Sequence, residues 1–230
     1  MAEKRGSHAR PTRTPRVSRH TPSRPGAAAQ AQAPLSAGVV LPFRIGHGYD
    51  LHRLEPRAPA GAGRAFVIGG VVLDDVAFSR GPVAHSDGDV LYHAVTDALL
   101  GALALPDIGQ LFPDTAAAHE GQDSAEFVKA AMTAVRRAGY AVANIDCTVI
   151  LQKPKLSPVK EAIRANLSKL LSTPVERVNI KGKTHEQVDA VGESRAVEAH
   201  VVVLLHVLAK GMAGATARIE RVKRAKRRKG

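Results

Sequence analysis

The run AHSDGDVLYHAVTDALLGALALPDIGQLFPDT, residues 84–115, contains the clearest helix pattern in this chain of 230 residues. Ser86 stands three residues before Asp89, which is the spacing of a capping box, and it predicts the start of a helix. The apolar residues that follow recur at helical spacing and predict one buried face: Leu91, Ala94, Val95, Ala98, Leu99 and Ala102. His93 lies off that face beside Asp89 and Asp97, and we expect one of these carboxylates to orient its imidazole.

The segments on either side of this helix predict a sheet. Residues 43–52 and 66–73 have strand patterns and are separated by a loop rich in Pro, Gly and Ala. A second helix is predicted from Asp123 or Ser124 to Gly139, and a third from Ser157-Pro158. Residues 145–149, 178–181 and 196–208 are the remaining predicted strands. The order β-β-α-α-β-α-β-β predicts an α+β fold, a single domain in which helices cover a mixed sheet.

The formal net charge of +12 is concentrated at the two ends of the chain. Residues 1–43 contain seven Lys or Arg with one acid, and residues 211–230 contain eight with one acid, so residues 44–210 have a net charge of −1. With no Trp, three Tyr and five Phe, the chain has few rings for base stacking. Nucleic-acid binding is therefore expected only through the basic ends, and a basic nucleic-acid-binding protein is the weaker alternative.

The composition also predicts the domain boundaries and the compartment. We expect a disordered basic extension at 1–42, one catalytic domain at 43–210 and a disordered basic tail at 211–230. Residues 1–42 resemble either a transit peptide or a solvated extension, so the expected location is cytoplasmic, with a plastid as the alternative. No apolar run approaches the roughly 20 residues that cross a bilayer, so no membrane partner is expected. The single cysteine, Cys147, excludes a disulfide framework.

Asp50 and His52 predict a metal site. They are two residues apart on a predicted strand, so both side chains leave the same face. A carboxylate and an imidazole suit a zinc-like divalent ion, and His93 is the candidate third ligand. Each residue alone is more often an ordinary polar group, and the prediction depends on their combination.

Two further regions suit phosphate. His85 precedes a helix N-terminus, whose N–H groups favour anions, although an ordinary capped turn is the alternative. Lys153-Pro154-Lys155 and the segment 181–186 add cations, a hydroxyl and the carboxylate of Glu186 for a second metal. Solvent-exposed lysines are the alternative there.

Five motifs connect these regions to a known family: RIGHGYDLHRL (44–54), IGGVVL (68–73), the run 84–115, LQKPKLSP (151–158) and NIKGKTHE (179–186). Residues 44–208 resemble the 2-C-methyl-D-erythritol 2,4-cyclodiphosphate synthase family of the non-mevalonate isoprenoid pathway. The resemblance implies a phosphorus–oxygen lyase that converts 4-diphosphocytidyl-2-C-methyl-D-erythritol 2-phosphate to 2-C-methyl-D-erythritol 2,4-cyclodiphosphate and CMP.

The resemblance also implies residue roles. Zn²⁺ or Mn²⁺ would be held by Asp50, His52 and His93, and Mg²⁺ or Mn²⁺ at the diphosphate by Glu186, while His85 and Thr184 would stabilise the transition state. The implied substrate-binding residues are Asp50, Leu51, His52, His85, Ser86, Asp107, Ile108, Gly109, Phe112, Pro113, Asp114, Thr115, Ala116, Leu151, Gln152, Lys153, Pro154, Lys155, Leu156, Ser157, Lys183, Thr184, His185 and Glu186.

Assembly is a further implication: a homotrimer whose sheets face a central axis and whose active sites lie between subunits. One segment departs from the family pattern. After Glu186, residues 187–194 are two residues shorter than the common KLGFTGRGEG form and lack its arginine. Lys183 or Arg195 could supply the missing charge. A metal-dependent phosphoesterase that uses water is the alternative reaction.

Overall fold

A five-stranded mixed sheet forms the centre of the computed structural model, which describes residues 40–73, 78–113 and 120–209. The strands are β1 (Phe43–Pro56), β2 (Val67–Ile68), β3 (Val71–Val72), β4 (Arg80–Pro82), β5 (Tyr140–Ile150), β6 (Val178–Lys183) and β7 (Ala196–Val207). The sheet order is β4-β1-β7-β5-β6, and β2 pairs with β3 in a separate hairpin. β5 and β6 run parallel while the other pairs are antiparallel. The predicted mixed sheet is confirmed.

Helices cover one face of this sheet. They are α1 (Val90–Ala102), α2 (Ile108–Leu111), α3 (Ala125–Arg137), α4 (Lys160–Leu171) and α5 (Asp189–Gly192). All six apolar residues predicted on α1 are buried. β7 contributes alternate buried side chains beneath the helices: Val197, Ala199, Val201, Val203 and Leu205. The predicted α+β class is confirmed, and all described residues belong to one compact unit, Val39–Gly230.

The opposite face of the sheet carries exposed apolar side chains. Because side chains alternate along a strand, these residues point away from the helices. They are Phe43, Ile45, Tyr49, Leu51 and Val202. The face is therefore apolar in character although no described element covers it.

Three element predictions need correction. Residues 66–73 form the β2–β3 hairpin rather than one strand, because Gly69 and Gly70 adopt positive φ angles of 59° and 71° and turn the chain. Helix α1 begins after Asp89, whose carboxylate accepts hydrogen bonds from Leu91 N and Tyr92 N, so Asp89 and not Ser86 is its N-cap. The strand β4 and the short helices α2 and α5 were not predicted.

The third predicted helix begins differently. Ser157–Val159 forms a 3₁₀ turn with Leu156 at its N-cap, and α4 follows from Lys160. The second helix agrees with its prediction: Ser124 is the N-cap of α3, and Gly139, at φ 82°, follows its end.

Part of the predictions lies outside the described residues. This holds for Asp114, Thr115 and Ala116, for the basic tail 211–230, and for all but the last three residues of the extension 1–42. The domain boundaries therefore stay predictions. Within the described ranges, every helix is too short or too polar to cross a lipid bilayer.

Candidate active site

Two glycines of β1 bring the helix that carries His93 close to the strand that carries Asp50. Gly46 and Gly48 face α1, and a side chain at either position would overlap the α1 backbone. The next residues on the same face of β1 are Asp50 and His52. The helix therefore lies against β1 at the point where polar side chains begin.

Asp50, His52 and His93 form a compact cluster. One oxygen of Asp50, Oδ2, lies 3.1 Å from His93 Nδ1 and 3.4 Å from His52 Nε2. The two imidazoles are perpendicular, with ring centroids 5.0 Å apart. Their candidate ligand atoms all lie within 4.8 Å of one another. This geometry allows all three residues to bind one ion, as the sequence predicts.

The protonation of the cluster also suits a cation. Burial lowers the pKa of His52, which keeps its imidazole neutral and able to bind a metal. Burial opposes ionisation of Asp50, but the hydrogen bond with His93 and the electrostatic interaction with the His52 imidazole lower its pKa overall. His52 Nε2 is buried and has no hydrogen-bond partner among the described residues. Because an unpaired buried nitrogen is costly, the donor set fits a divalent ion such as Zn²⁺.

The expected partners of His93 are wrong. Asp89 accepts hydrogen bonds from backbone N–H groups of the β2–β3 turn and of α1, and Asp97 accepts one from the backbone of α2. His93 Nε2 instead lies 2.9 Å from Ser124 Oγ and 3.1 Å from Ser86 Oγ. Two hydroxyls therefore contact the imidazole on the side away from Asp50.

A cavity of about 390 Å³ opens beside the cluster. Its lining residues are His52, Val83, Ala84, His85, Ser86, His93, Ile108, Gly109, Phe112 and Phe127. Five further predicted substrate residues, His85, Ser86, Ile108, Gly109 and Phe112, thus share one cavity with the candidate metal ligands His52 and His93. Asp107 lies outside it, at the N-cap of α2, and lines a neighbouring cavity of about 320 Å³.

Phe127 is a cavity residue that was not among the predicted site residues. Its ring centroid lies 4.9 Å from that of Phe112 and 5.8 Å from that of His93. It lies on the buried face of α3. Its place at the cavity depends on the packing of α3 against α1, which local sequence does not contain.

The second group of predicted residues gathers at the carboxyl ends of β5 and β6. Leu151 N donates to Lys183 O at 3.0 Å, and Gln187 N donates to Gln152 Oε1 at 3.3 Å. The segments 151–157 and 183–186 are therefore joined. Thr184 Oγ1 donates to Glu186 Oε1 at 2.8 Å, which brings the predicted hydroxyl and the predicted metal carboxylate together.

These two groups lie on different strands of one chain. Leu51 pairs with Glu198 on β7, Glu198 with Ile150 on β5, and Ile150 with Lys183 on β6. Three strand spacings of about 4.8 Å place β1 and β6 about 14 Å apart. Glu186 accordingly does not join the cluster of Asp50, His52 and His93.

The shortened segment has its own polar contacts. His185 Nδ1 lies 2.9 Å from Asp189 Oδ2, and His185 Nε2 lies 3.3 Å from Glu198 Oε1. Arg195 is paired with Glu193, with Nε 2.7 Å from Glu193 Oε2. Lys183 is exposed and has no ion-pair partner in the part of the chain that the structure describes. Of the two candidates for the missing charge, Lys183 is thus the unpaired one.

Comparison with known proteins identifies relatives along most of the chain. Residues 43–206 match the model of the YgbB family. A chloroplastic 2-C-methyl-D-erythritol 2,4-cyclodiphosphate synthase of Arabidopsis thaliana is 56% identical over 165 residues, which are 72% of this chain and 68% of that protein. The enzyme of the same name from Rhodopirellula baltica is 50% identical over 165 residues, 72% of this chain and 94% of that protein.

A solved structure shows the same similarity in three dimensions. The IspF structure of Plasmodium falciparum, a CDP complex, matches with a TM-score of 0.62 and 34% sequence identity. The match covers 72% of this chain and 97% of that one. The similarity therefore extends over nearly the whole of that protein.

Proposed function

This chain belongs to the YgbB family, and from that membership we propose that it forms 2-C-methyl-D-erythritol 2,4-cyclodiphosphate and CMP from 4-diphosphocytidyl-2-C-methyl-D-erythritol 2-phosphate. The observation that carries the proposal is the cluster of Asp50, His52 and His93 at the wall of the cavity that contains His85 and Ser86. A metal site next to phosphate-compatible donors is what this phosphoryl transfer needs. The reaction classifies the chain as a phosphorus–oxygen lyase.

The proposed reaction is intramolecular. An oxygen of the substrate's 2-phosphate forms a bond to the β-phosphorus of the cytidine diphosphate arm. The bond from that phosphorus to the bridging oxygen breaks, and CMP leaves with the electron pair. The product contains an eight-membered ring. Because both reacting groups belong to one molecule, the protein mainly has to fold and align the substrate.

The metal centre proposed at Asp50, His52 and His93 would hold Zn²⁺ or Mn²⁺. A bound cation there would neutralise phosphate charge and so favour attack between two anionic groups. The three side chains supply one negative charge and two neutral nitrogens, which leaves a net positive site when a divalent ion is bound. The half-buried position of the ligands keeps water away from that charge and strengthens the attraction.

The cavity residues would hold the methylerythritol phosphate end of the substrate. We assign His85 to transition-state stabilisation and Ser86 to phosphate binding, because both line the cavity with the metal ligands. Ile108, Gly109 and Phe112 supply an apolar wall for the carbon chain. Asp107 and Pro113 flank this wall in the chain and stay assigned to substrate binding, while Asp114, Thr115 and Ala116 lie outside the described residues.

The cytidine and diphosphate end would bind at the other group. The segment 151–157, joined to Lys183 by a backbone hydrogen bond, presents Lys153, Lys155 and Lys183 near the strand ends. We assign Thr184 to the transition state and Glu186 to a Mg²⁺ or Mn²⁺ ion at the diphosphate. Their mutual hydrogen bond of 2.8 Å supports this pairing, since one hydroxyl and one carboxylate face the same point.

A homotrimer with active sites between subunits accounts for two features of the single chain. β1, which carries Asp50 and His52, and β6, which leads to Glu186, lie about 14 Å apart across the sheet, so a site built from two chains can bring the two groups together. The exposed apolar side chains on the open sheet face, among them Ile45 and Val202, would be buried against partner sheets around a central axis.

The location and the ends of the chain complete the proposal. The Arabidopsis relative is named as chloroplastic. The protein acts in a plastid if residues 1–42 are a transit peptide and in the cytoplasm otherwise. A fluorescent protein fused behind residues 1–42 distinguishes these locations. Any nucleic-acid binding would come from the basic ends, and its affinity would fall steeply with salt.

Incubation of the purified protein with the cytidine-linked substrate and Mg²⁺ tests the proposal. We expect equal amounts of CMP and ring-closed product, with no release of inorganic phosphate. Asp50→Asn should abolish both Zn²⁺ binding and turnover, whereas Asp146→Asn, which changes an exposed carboxylate paired with Lys181 and Asn179, should retain them. Release of inorganic phosphate would favour the phosphoesterase instead, and metal-loaded protein that forms no CMP would refute the proposal.

A further inference from the structure

A buried serine hydroxyl lies between a carboxylate and the candidate metal ligand His93. Ser124 Oγ is 2.5 Å from Asp87 Oδ1 and 2.9 Å from His93 Nε2. Asp87 also accepts a hydrogen bond from the backbone N–H of Ser124, at 3.1 Å. Ser124 is completely buried. The carboxylate therefore holds both the hydroxyl and the backbone N–H of Ser124.

The hydroxyl of Ser124 does not serve the helix that it begins. Ser124 is the N-cap of α3, yet its side chain makes no capping hydrogen bond. Asp123 Oδ1 instead accepts from Ala125 N at 2.8 Å, which satisfies that N–H group. The usual structural reason for a serine at this position is absent, and its hydroxyl points to the metal cluster.

The hydrogen bonds of Ser124 suit a histidine that binds a metal through Nδ1. The Ser124 hydroxyl can donate its single hydrogen to Asp87, and its oxygen can then accept from His93 Nε2. In a neutral imidazole with its hydrogen on Nε2, the lone pair of Nδ1 is available to a metal. Nδ1 is the atom that lies 3.1 Å from Asp50 Oδ2, inside the cluster.

We infer that Ser124, held by Asp87, is a positioning residue that fixes the orientation of His93 and accepts its Nε2 hydrogen when Nδ1 binds the metal. The inference rests on the metal centre proposed at Asp50, His52 and His93. Residues that bind the far nitrogen of a ligating histidine fix its ring and increase its affinity for the metal. Here hydrogen bonds connect the Asp87 carboxylate to the Ser124 hydroxyl and the hydroxyl to the His93 imidazole. The same imidazole lines the cavity, so these hydrogen bonds also fix part of the cavity wall.

Zn²⁺ affinity of the full-length protein, stripped of metal and titrated against a chromophoric chelator, tests this role. We expect Ser124→Ala to weaken Zn²⁺ binding by about 10- to 100-fold, the usual effect of removing such a partner. Ser124→Thr retains the hydroxyl and should remain near the wild-type affinity. Asp123→Ala is the matched control. It removes the hydrogen bond that Asp123 accepts from Ala125 N at the start of α3, but no contact to His93. It should lower the unfolding midpoint and leave Zn²⁺ affinity within about twofold.

A second measurement detects the tautomer directly. Long-range proton–nitrogen spectra of the Zn²⁺-loaded protein with ¹⁵N-labelled histidine should show His93 protonated on Nε2, and in Ser124→Ala that hydrogen should exchange faster with solvent. Protonation on Nδ1 in the Zn²⁺-loaded wild type, or a Ser124→Ala variant that binds Zn²⁺ within about twofold of wild type, would overturn the inference. If Asp50→Asn leaves Zn²⁺ binding unchanged, the proposed metal centre itself is wrong.

Discussion

Gly48 on β1 lies directly against the backbone of Ala94 on α1: a Cβ at position 48 would be 1.8 Å from the carbonyl oxygen of Ala94. Gly46 has the same relationship to Ala98, also at 1.8 Å. No side chain fits at such distances, so α1 can lie this close to β1 only because both residues are glycine. The contact brings His93, the neighbour of Ala94, within 3.1 Å of Asp50.

Gly48→Ala should therefore disrupt both the packing of α1 and the metal cluster. We expect a loss of about 1–3 kcal/mol or more in the free energy of unfolding, because the new methyl group overlaps backbone atoms. Gly101→Ala on α1 is the matched control. A Cβ there would meet only His47 O, at 3.7 Å, and should stabilise the helix by about 0.5–1 kcal/mol. Urea unfolding of the metal-free protein measures both, and equal stability of Gly48→Ala and wild type would contradict this explanation.

Only part of the candidate metal cluster was predictable from local spacing. Asp50 and His52 share a face through the two-residue period of a strand, and His93 stands off the apolar face of one regular helix. The mixed sheet and the buried face of α1 followed from the same periodicities. The meeting of His93 with Asp50, 43 residues away, was expected from the family motifs, and its contact with Ser124, 31 residues away, was not predicted.

The β2–β3 hairpin and the start of α1, which the sequence did not predict, both depend on the carboxylate of Asp89. Asp89 Oδ2 accepts a hydrogen bond from Gly70 N at 2.7 Å, so a single carboxylate caps α1 and holds the β2–β3 turn. A local pattern at Ser86 favoured an earlier helix start, and the apolar run 66–73 favoured one strand. The hydrogen bonds that Asp89 accepts from the turn and from α1 outweigh both local preferences.

The stability of the metal-free protein should fall as the pH drops below 6.5, the ordinary pKa of histidine in an unfolded chain. Burial lowers the pKa of His52 in the folded state, so below pH 6.5 the unfolded chain binds the extra proton first. Stability is thus complete above pH 6.5 and declines as the pH approaches the folded pKa, by at most about 1.4 kcal/mol per pH unit.

His52→Gln isolates this contribution, because glutamine does not titrate. Chemical unfolding between pH 7.5 and 5 should give a shallower decline for the variant than for the wild type. Parallel curves for the two proteins would show that His52 does not cause the dependence.

Lys183 should supply part of the substrate affinity through a contact to phosphate. It is exposed beside Thr184 and is not ion-paired within the described ranges, whereas Arg195 is held by Glu193. Lys183→Gln should raise KM by about 10-fold or more, the value of one charged hydrogen bond to phosphate. Arg195→Gln is the control and should change KM by less than about twofold. Steady-state kinetics decide between them, and the opposite ranking would assign the charge to Arg195.

Glu186→Gln should separate the two metal sites. Its carboxylate lies in the group at the ends of β5 and β6 and outside the cluster of Asp50, His52 and His93. The amide cannot supply the negative charge that Mg²⁺ favours, so we expect the Mg²⁺ concentration for half-maximal activity to rise by about tenfold or more. The Zn²⁺ content of the purified variant should equal that of the wild type. Glu193→Gln, which removes an exposed carboxylate paired with Arg195, should change neither quantity. If the variant loses Zn²⁺ as well as its response to Mg²⁺, Glu186 belongs to the first metal site. The segment after β6 would then have to contribute to the cluster of Asp50, His52 and His93.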